Sequence, residues 1–309
     1  MSGIALLCSG QGYQAADMFD LLADAPEADA VFKRGRPILG GQDPRELVHR
    51  VTNDTLNTNK VGQILCCMQA IAARAVLRGK IHRPLVVAGY SVGELAAWGV
   101  AGLLSDEVVL DLAVQRAAAM DEATTQPSGL VAIRGLERAT LDPICRTHGA
   151  YVAIVNGKDQ MLVGGTMTAL DAVIRDARAA GARRTTILPV AVPSHTPLLA
   201  GASDRFRQTL SVTHLPAEVP TGVRLLSGID GAAVFDVRAG ADKLARQIQQ
   251  TVNWAACMQS CRAAGVTKVV EFGPGDSLAR LMHEFMPDAD VHGLSEFRSL
   301  AAFEHWVRQ

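Results

Sequence analysis

Apolar residues along this chain follow two rhythms, and the change between them divides it. In the first part, short continuous apolar runs alternate with longer stretches at helical spacing. Ile4-Ala-Leu-Leu-Cys8 reads as a buried strand and is followed by the tight loop Ser9-Gly-Gln-Gly12. From about 60 to 77, Val61, Ile64, Leu65, Met68, Ile71, Ala72 and Val76 recur at intervals of three and four and predict a helix. A second apolar run, Pro84-Leu-Val-Val-Ala88, leads into a helix starting near Glu94. A third helix is predicted over 106–123, with Ser105 placed as its N-cap. Strand and helix alternating in this way predict a parallel sheet covered by helices on both faces.

After Pro127-Ser-Gly129 the rhythm changes. The pattern predicts a strand at 130–134, a helix over about 137–147 and a strand at 151–155. A turn at Asn156-Gly-Lys-Asp159 then precedes a strand at 161–163, a helix over 167–180 and a strand at 184–190. The order β-α-β-β-α-β is that of a ferredoxin-like unit. Residues 128–191 are therefore expected to form a small inserted domain, with 1–127 and 192–309 making the larger one. The larger domain resumes near Val192-Pro-Ser-His195. It is predicted to run through a helix at roughly 197–210, an irregular Gly- and Pro-rich stretch to about 240 and a helix near 242–262. Strand Val266–Phe272, the loop Gly273-Pro-Gly275 and a final helical pair complete it.

Composition narrows the function classes. With 309 residues, 49% of them hydrophobic and 20% charged, the chain has the makeup of an ordinary globular protein. Thirty basic residues against thirty-one acidic ones give a net charge of −1, so no electrostatic footprint for nucleic acid is present. No apolar run approaches the roughly 20 residues that span a bilayer, and the start Met-Ser-Gly-Ile lacks a basic leader region; no membrane association is expected. The six cysteines show no Cys-x-x-Cys spacing, which argues against a structural metal or a disulfide framework and for a reducing cytoplasm. No cofactor or metal is expected.

Candidate chemistry centres on Gly89-Tyr-Ser-Val-Gly93, set between an apolar strand and a helix. In that context Gly-x-Ser-x-Gly is a nucleophile elbow: the glycines let the backbone turn sharply enough to expose the hydroxyl of Ser91. Serine is a weak nucleophile and needs a base within hydrogen-bond reach. Eight histidines are available, and His195 is the best placed, in a loop at the mouth between the two expected domains. Spacing alone leaves a base and an ordinary loop histidine equally open for it. Asp230, Asp242 and Glu271 are candidates to orient the ring, and none stands out. Arg116 falls on the apolar stripe Val109, Leu112, Ala113, Met120 of the 106–123 helix. A buried arginine needs an anion, which is either a structural carboxylate or the carboxylate of a bound substrate. Backbone N–H groups of the Ser9–Gly12 loop, together with that of Val92, can form an oxyanion hole.

Taken together, these pieces resemble the malonyl-CoA:acyl carrier protein acyltransferase family. The matching motifs come in order: Gly10-Gln-Gly12, Gly89-Tyr-Ser-Val-Gly-Glu94, Gln115-Arg116, Asn156 to Gln160 with Val163 to Gly165, Val192-Pro-Ser-His195, Arg246-Gln-Ile248 with Trp254, and Gly273-Pro-Gly275. The resemblance implies an α/β-hydrolase-like large domain carrying a ferredoxin-like insert. It implies Ser91 as nucleophile, His195 as its base, the amides of Gln11 and Val92 as oxyanion hole, and Arg116 holding the malonyl carboxylate. The histidine would be oriented by a backbone carbonyl that maps to Gln247, in place of an acidic triad member.

Two positions depart from the fatty-acid enzymes of this family. Ser9 and Tyr90 stand where those usually carry Pro and His. The run Gly-Tyr-Ser-Val-Gly-Glu-Leu-Ala-Ala-Trp looks most like the transacylase (epsilon) subunit of bacterial malonate decarboxylase. The resemblance therefore implies transfer of malonyl from malonyl-CoA, via Ser91, to the thiol of a phosphopantetheine-type arm. That arm would be the phosphoribosyl-dephospho-CoA group on the acyl-carrier subunit of the decarboxylase. The alternatives are a malonyl-CoA:acyl carrier protein transacylase of fatty-acid or polyketide synthesis, a serine thioesterase or esterase, and a non-catalytic assembly subunit.

Overall fold

The computed structural model describes residues 3–81 and 85–309. Pro84, the expected first residue of the second strand, and His82, one of the candidate histidines, lie outside the described residues. Elements in chain order are β1 (Gly3–Cys8), α1 (Pro26–Ile38), α2 (Pro44–Arg50), α3 (Asn53–Leu56), α4 (Asn59–Val76), β2 (Leu85–Gly89), α5 (Val92–Val100) and α6 (Asp106–Ala123). Then come β3 (Ser128–Arg134), α7 (Arg138–His148), β4 (Tyr151–Gly157), β5 (Gln160–Thr166), α8 (Met167–Ala179) and β6 (Arg184–Ile187). The chain closes with α9 (Ala200–Val212), β7 (Val223–Leu225), α10 (Val237–Arg246), β8 (Val252–Asn253), α11 (Trp254–Ala263), β9 (Val266–Phe272), α12 (Ser277–Phe285), β10 (Asp290–Gly293) and α13 (Leu300–Arg308).

Two sheets organise these elements. The larger has the order β10-β9-β1-β2-β7, every pair parallel. Its strands β1 and β2 are buried along their whole length, as continuous apolar runs in a helix-covered parallel sheet must be. Helix α4 packs on α1, α5 and α6, and buries nearly all of its residues. The smaller sheet has the order β6-β3-β5-β4-β8 and is antiparallel except where β4 meets β8. One face of it carries Val131, Ile133, Val152 and Val163, which pack with Leu141 of α7 and Leu170 and Val173 of α8 into a separate apolar cluster. Among the described residues no helix is long and apolar enough to cross a membrane.

The local reasons for these elements are visible in the side chains. Ser105 caps α6, its oxygen accepting from the Val108 amide at 3.3 Å. The expected helix over 242–262 is instead two helices, α10 and α11, separated at residues 247–253. Asn253 caps α11 by accepting from the Ala256 amide, and Val252–Asn253 pair with β4 as a fifth strand of the small sheet. Helical spacing continues across the interruption, so the pattern alone hid it; long-range pairing overrides it. Strand β6 ends at Ile187 rather than 190, and the helix expected from 197 begins at 200, after a turn of 3-10 helix at 197–199. The expected irregular stretch to 240 holds β7 and the start of α10, and β10 separates the final two helices.

Close approach of β1, β2 and α5 leaves no room for side chains at the elbow. A Cβ on Gly93 would collide with the Cys8 carbonyl oxygen, and one on Gly89 with the Gly93 carbonyl. Gly93→Ala should therefore cost about 3 kcal/mol or more, lowering the melting temperature by at least roughly 4 °C in calorimetry. An unchanged melting temperature would contradict this packing.

Candidate active site

Ser91 and His195 are the only non-glycine residues with positive φ among the described residues, at 57° and 62°. Such backbone costs on the order of 1–3 kcal/mol per residue and persists only where the surroundings enforce it. At Ser91 the enforcement comes from the strand-to-helix turn: it is the N-cap of α5, and Val92 is the first helical residue. The N–H of Val92 belongs to the orphan donors of a helix start, where the dipole also favours negative charge. At His195 a strap does the same work: its N–H donates to the Ile248 carbonyl at 2.8 Å, and Thr196 closes the turn onto Pro193.

These two strained turns bring the side chains together. His195 Nε2 lies 2.8 Å from Ser91 Oγ, and His195 Nδ1 lies 2.6 Å from the backbone oxygen of Gln247. The carbonyl can only accept from Nδ1, so Nδ1 carries the proton and Nε2 is left to accept from the serine. Burial and the nearby Arg116 charge push the imidazole well down, to about 3, although the Gln247 carbonyl opposes them. A neutral ring facing the hydroxyl is what a general base requires.

Gln247 follows the last residue of α10, where the helix stops. Inside a continuous helix its carbonyl would accept from the amide four residues on; the interruption at 247–253 frees it for the histidine. Its side chain is equally occupied. Nε2 donates to the Ser91 carbonyl at 3.0 Å and to Glu94 Oε2 at 2.6 Å, while Oε1 accepts from Arg116 Nη2 at 3.1 Å. Arg116 Nη1 donates to Gln63 Oε1 at 2.7 Å.

Arg116 is 1% exposed, has no carboxylate within ion-pair distance among the described residues, and its Nε has no partner. Desolvation lowers its pKa to about 10, so it stays cationic near neutrality. The structural ion pair that sequence left open for it is not formed. Burial also raises Glu94, to about 7, against the pull of its Gln247 bond.

Ser91 and His195 open onto a cleft of about 510 Å³ between the two sheets, with Gly10 and Gln11 beside them. Val92, Arg116 and Gln247 are buried and not on its lining; Gln247 connects Arg116 to the Ser91 carbonyl. Of the three acidic candidates for orienting the ring, none does so. Asp230 pairs with Lys243, Asp242 with Arg207 and Arg246, and Glu271 accepts from Ser9 Oγ at 2.6 Å and the Ala279 amide at 2.8 Å. Ser9, at one departing position, thus ties the glycine loop to β9. Tyr90, at the other, packs edge-to-face with Trp254, ring centroids 5.4 Å apart. Sequence reasoning missed Gln63, Glu94 and the side chain of Gln247. The one available signal was Glu94, a lone charge in the apolar run of α5.

The arrangement can activate a serine hydroxyl for attack on an acyl carbonyl, and the amide of Val92 follows it directly at the open start of α5. The chain belongs to the acyl transferase domain family, whose model matches residues 5–290. It is 31% identical over 286 residues to malonyl CoA-acyl carrier protein transacylase of Mycobacterium tuberculosis, covering 89% of this chain and 91% of that one. It is 29% identical to the protein of the same name from Escherichia coli K12, over 98% of this chain and 99% of the other. The crystal structure of an acyl-carrier-protein S-malonyltransferase from Burkholderia pseudomallei superposes with a TM-score of 0.89 at 30% identity, covering both chains fully.

With its pKa near 3, the His195 ring should remain neutral as pH falls from 8 to about 5, and the charge should appear only as pH approaches 3. NMR titration of the labelled ring would show this; titration near 6.5 would contradict the buried, proton-accepting imidazole.

Proposed function

We propose that this chain is a malonyl-CoA:carrier-protein S-malonyltransferase working through a Ser91 acyl-enzyme. His195 Nε2 takes the hydroxyl proton as Ser91 Oγ attacks the thioester carbonyl. The oxyanion is held by the N–H groups of Gln11 and Val92, and His195 returns the proton to the departing CoA thiolate. The carrier thiol then attacks the serine ester by the reverse path. Gln247 keeps the imidazole in the required tautomer through its backbone carbonyl. The cycle calls on no bound cofactor.

The observation that carries the malonyl assignment is Arg116, a buried cation held by two amide oxygens, with an unpartnered Nε and no carboxylate in ion-pair contact among the described residues; Glu94, the acid that acts on it, is reached only through Gln247 and is itself raised to about 7 by burial. An acyl group that brings its own carboxylate completes that site; an acetyl group leaves the charge uncompensated. A general esterase has no use for it, and a non-catalytic scaffold has no use for the strained Ser91–His195 pair.

The names of the relatives support an acyl carrier protein as acceptor in preference to the carrier of malonate decarboxylase. The decarboxylase transacylase subunit remains the second reading, favoured by Ser9 and Tyr90. We read the larger body, residues 1–127 and 192–309, as α/β-hydrolase-like, on the strength of its parallel sheet and elbow. We read 128–191 as a ferredoxin-like insert, supported by its β-α-β-β-α-β order. Six buried free thiols fit the reducing cytoplasm we assign to it.

Arg116→Ala should lower kcat/KM for malonyl-CoA by at least about 100-fold while raising or preserving transfer from acetyl-CoA. Equal loss with both donors would remove Arg116 from substrate recognition. Assaying the wild type with a phosphopantetheine-bearing acyl carrier protein and with the decarboxylase carrier subunit separates the two acceptors.

A further inference from the structure

The cleft wall opposite Ser91 is the face of the small sheet that its own helices do not cover. Side chains alternate along a strand, so Leu130, Ala132 and Arg134 of β3 point into the cleft while Val131 and Ile133 point into the α7–α8 cluster. The wall is graded: Leu130 is buried beside the Ser194–Thr196 turn and Leu188 is half-buried, whereas Arg134 and Arg184 are exposed. From Leu130 to Arg134 is roughly 13 Å along the strand.

Arg134 and Arg184 are directly opposite one another in the antiparallel register of β3 and β6. Like charges at such a position repel and weaken the sheet. Neighbouring cations are neutralised: Arg183 pairs with Asp159, Lys158 with Glu137, Arg138 with Asp142. Neither Arg134 nor Arg184 has a carboxylate within ion-pair distance among the described residues, and Arg184 Nε donates only to Thr186 Oγ1. Glu284, which also lines the mouth, accepts from Gln160 at 3.1 and 3.3 Å. Two guanidiniums without an ion-pair partner among the described residues therefore face each other at the exposed end of a wall that lines the same cleft as Ser91, and whose buried end lies beside the His195 turn.

We propose that Arg134 and Arg184 form a phosphate-binding pair for the phosphorylated end of the thiol arm whose thioester reaches Ser91. A planar guanidinium on each side can hold one phosphate by paired N–H donors and relieve the repulsion between them. The same chemistry is offered by the phosphates of CoA in the donor step and by the phosphodiester of a carrier arm in the acceptor step. The proposal rests on the acyltransferase reading of Ser91.

The test compares malonyl-CoA with malonyl-pantetheine, which lacks phosphate, as donors to wild type, Arg134→Ala, Arg184→Ala and the double variant. Each single change should raise KM for malonyl-CoA about tenfold and the double change more, with kcat unchanged and malonyl-pantetheine unaffected. The melting temperature of each single variant should hold or rise, because a repulsion is removed; a purely structural role would lower it. A KM shift confined to the arm-bearing carrier, with binding of the arm-less carrier unchanged, would place the phosphate on the acceptor and equally support the pair. Equal losses with both donors, no change with either donor or carrier, or equal weakening of both carrier forms would overturn it. A wild type that forms no malonyl-enzyme from either donor would instead fail the acyltransferase reading.

Discussion

The hydrogen bond from His195 Nδ1 to the Gln247 carbonyl, 2.6 Å long, is the constraint around which the site is arranged. It fixes the tautomer, aims Nε2 at Ser91, and requires a carbonyl that no helix is using. That requirement accounts for the interruption between α10 and α11, which in turn supplies β8 to the small sheet. One break between two helices thus orients His195 and supplies a strand to the sheet that walls the cleft. Gln247 is also where the buried polar groups meet. Its amide links the Ser91 backbone, Glu94 and Arg116, so Ser91, His195 and Arg116 are held by a single side chain and its own peptide oxygen.

Burial sets the charge state of each group in this cluster. His195 is driven neutral by burial and by Arg116; Arg116 stays cationic despite its own desolvation; and Glu94 is raised toward neutrality. Such a cluster is costly while incomplete, because a buried charge without its partner forfeits solvation without recovering Coulomb energy. Strain adds to the cost, since the two non-glycine residues with positive φ among the described residues are the two that meet over the cleft. Stability concentrated against the site in this way marks it as the place where a ligand completes the structure.

Much of this was legible in the chain. The helix over 106–123 and its Ser105 cap, the elbow at Ser91, and Arg116 on an inward face all follow from local spacing and chemistry, and the structure places them accordingly. What local pattern could not reveal depends on distant partners. The 242–262 stretch reads as one helix because its apolar spacing continues through the break; only β4 and His195, far away in sequence, end it. A backbone carbonyl leaves no mark on residue identity, so the orienting group of the histidine was reachable through resemblance and not through composition. Gln63 and the Gln247 side chain are ordinary polar residues until the fold closes them around a guanidinium.

The most direct test of this account is intact-protein mass spectrometry after brief mixing with malonyl-CoA, run with acetyl-CoA and with Ser91→Ala in parallel. One malonyl group should be added to the wild-type chain, little or none from acetyl-CoA and none on the variant, and the adduct should be lost when a carrier thiol is supplied. A malonyl adduct that survives Ser91→Ala, or CoA release with no adduct at any time, would contradict this account.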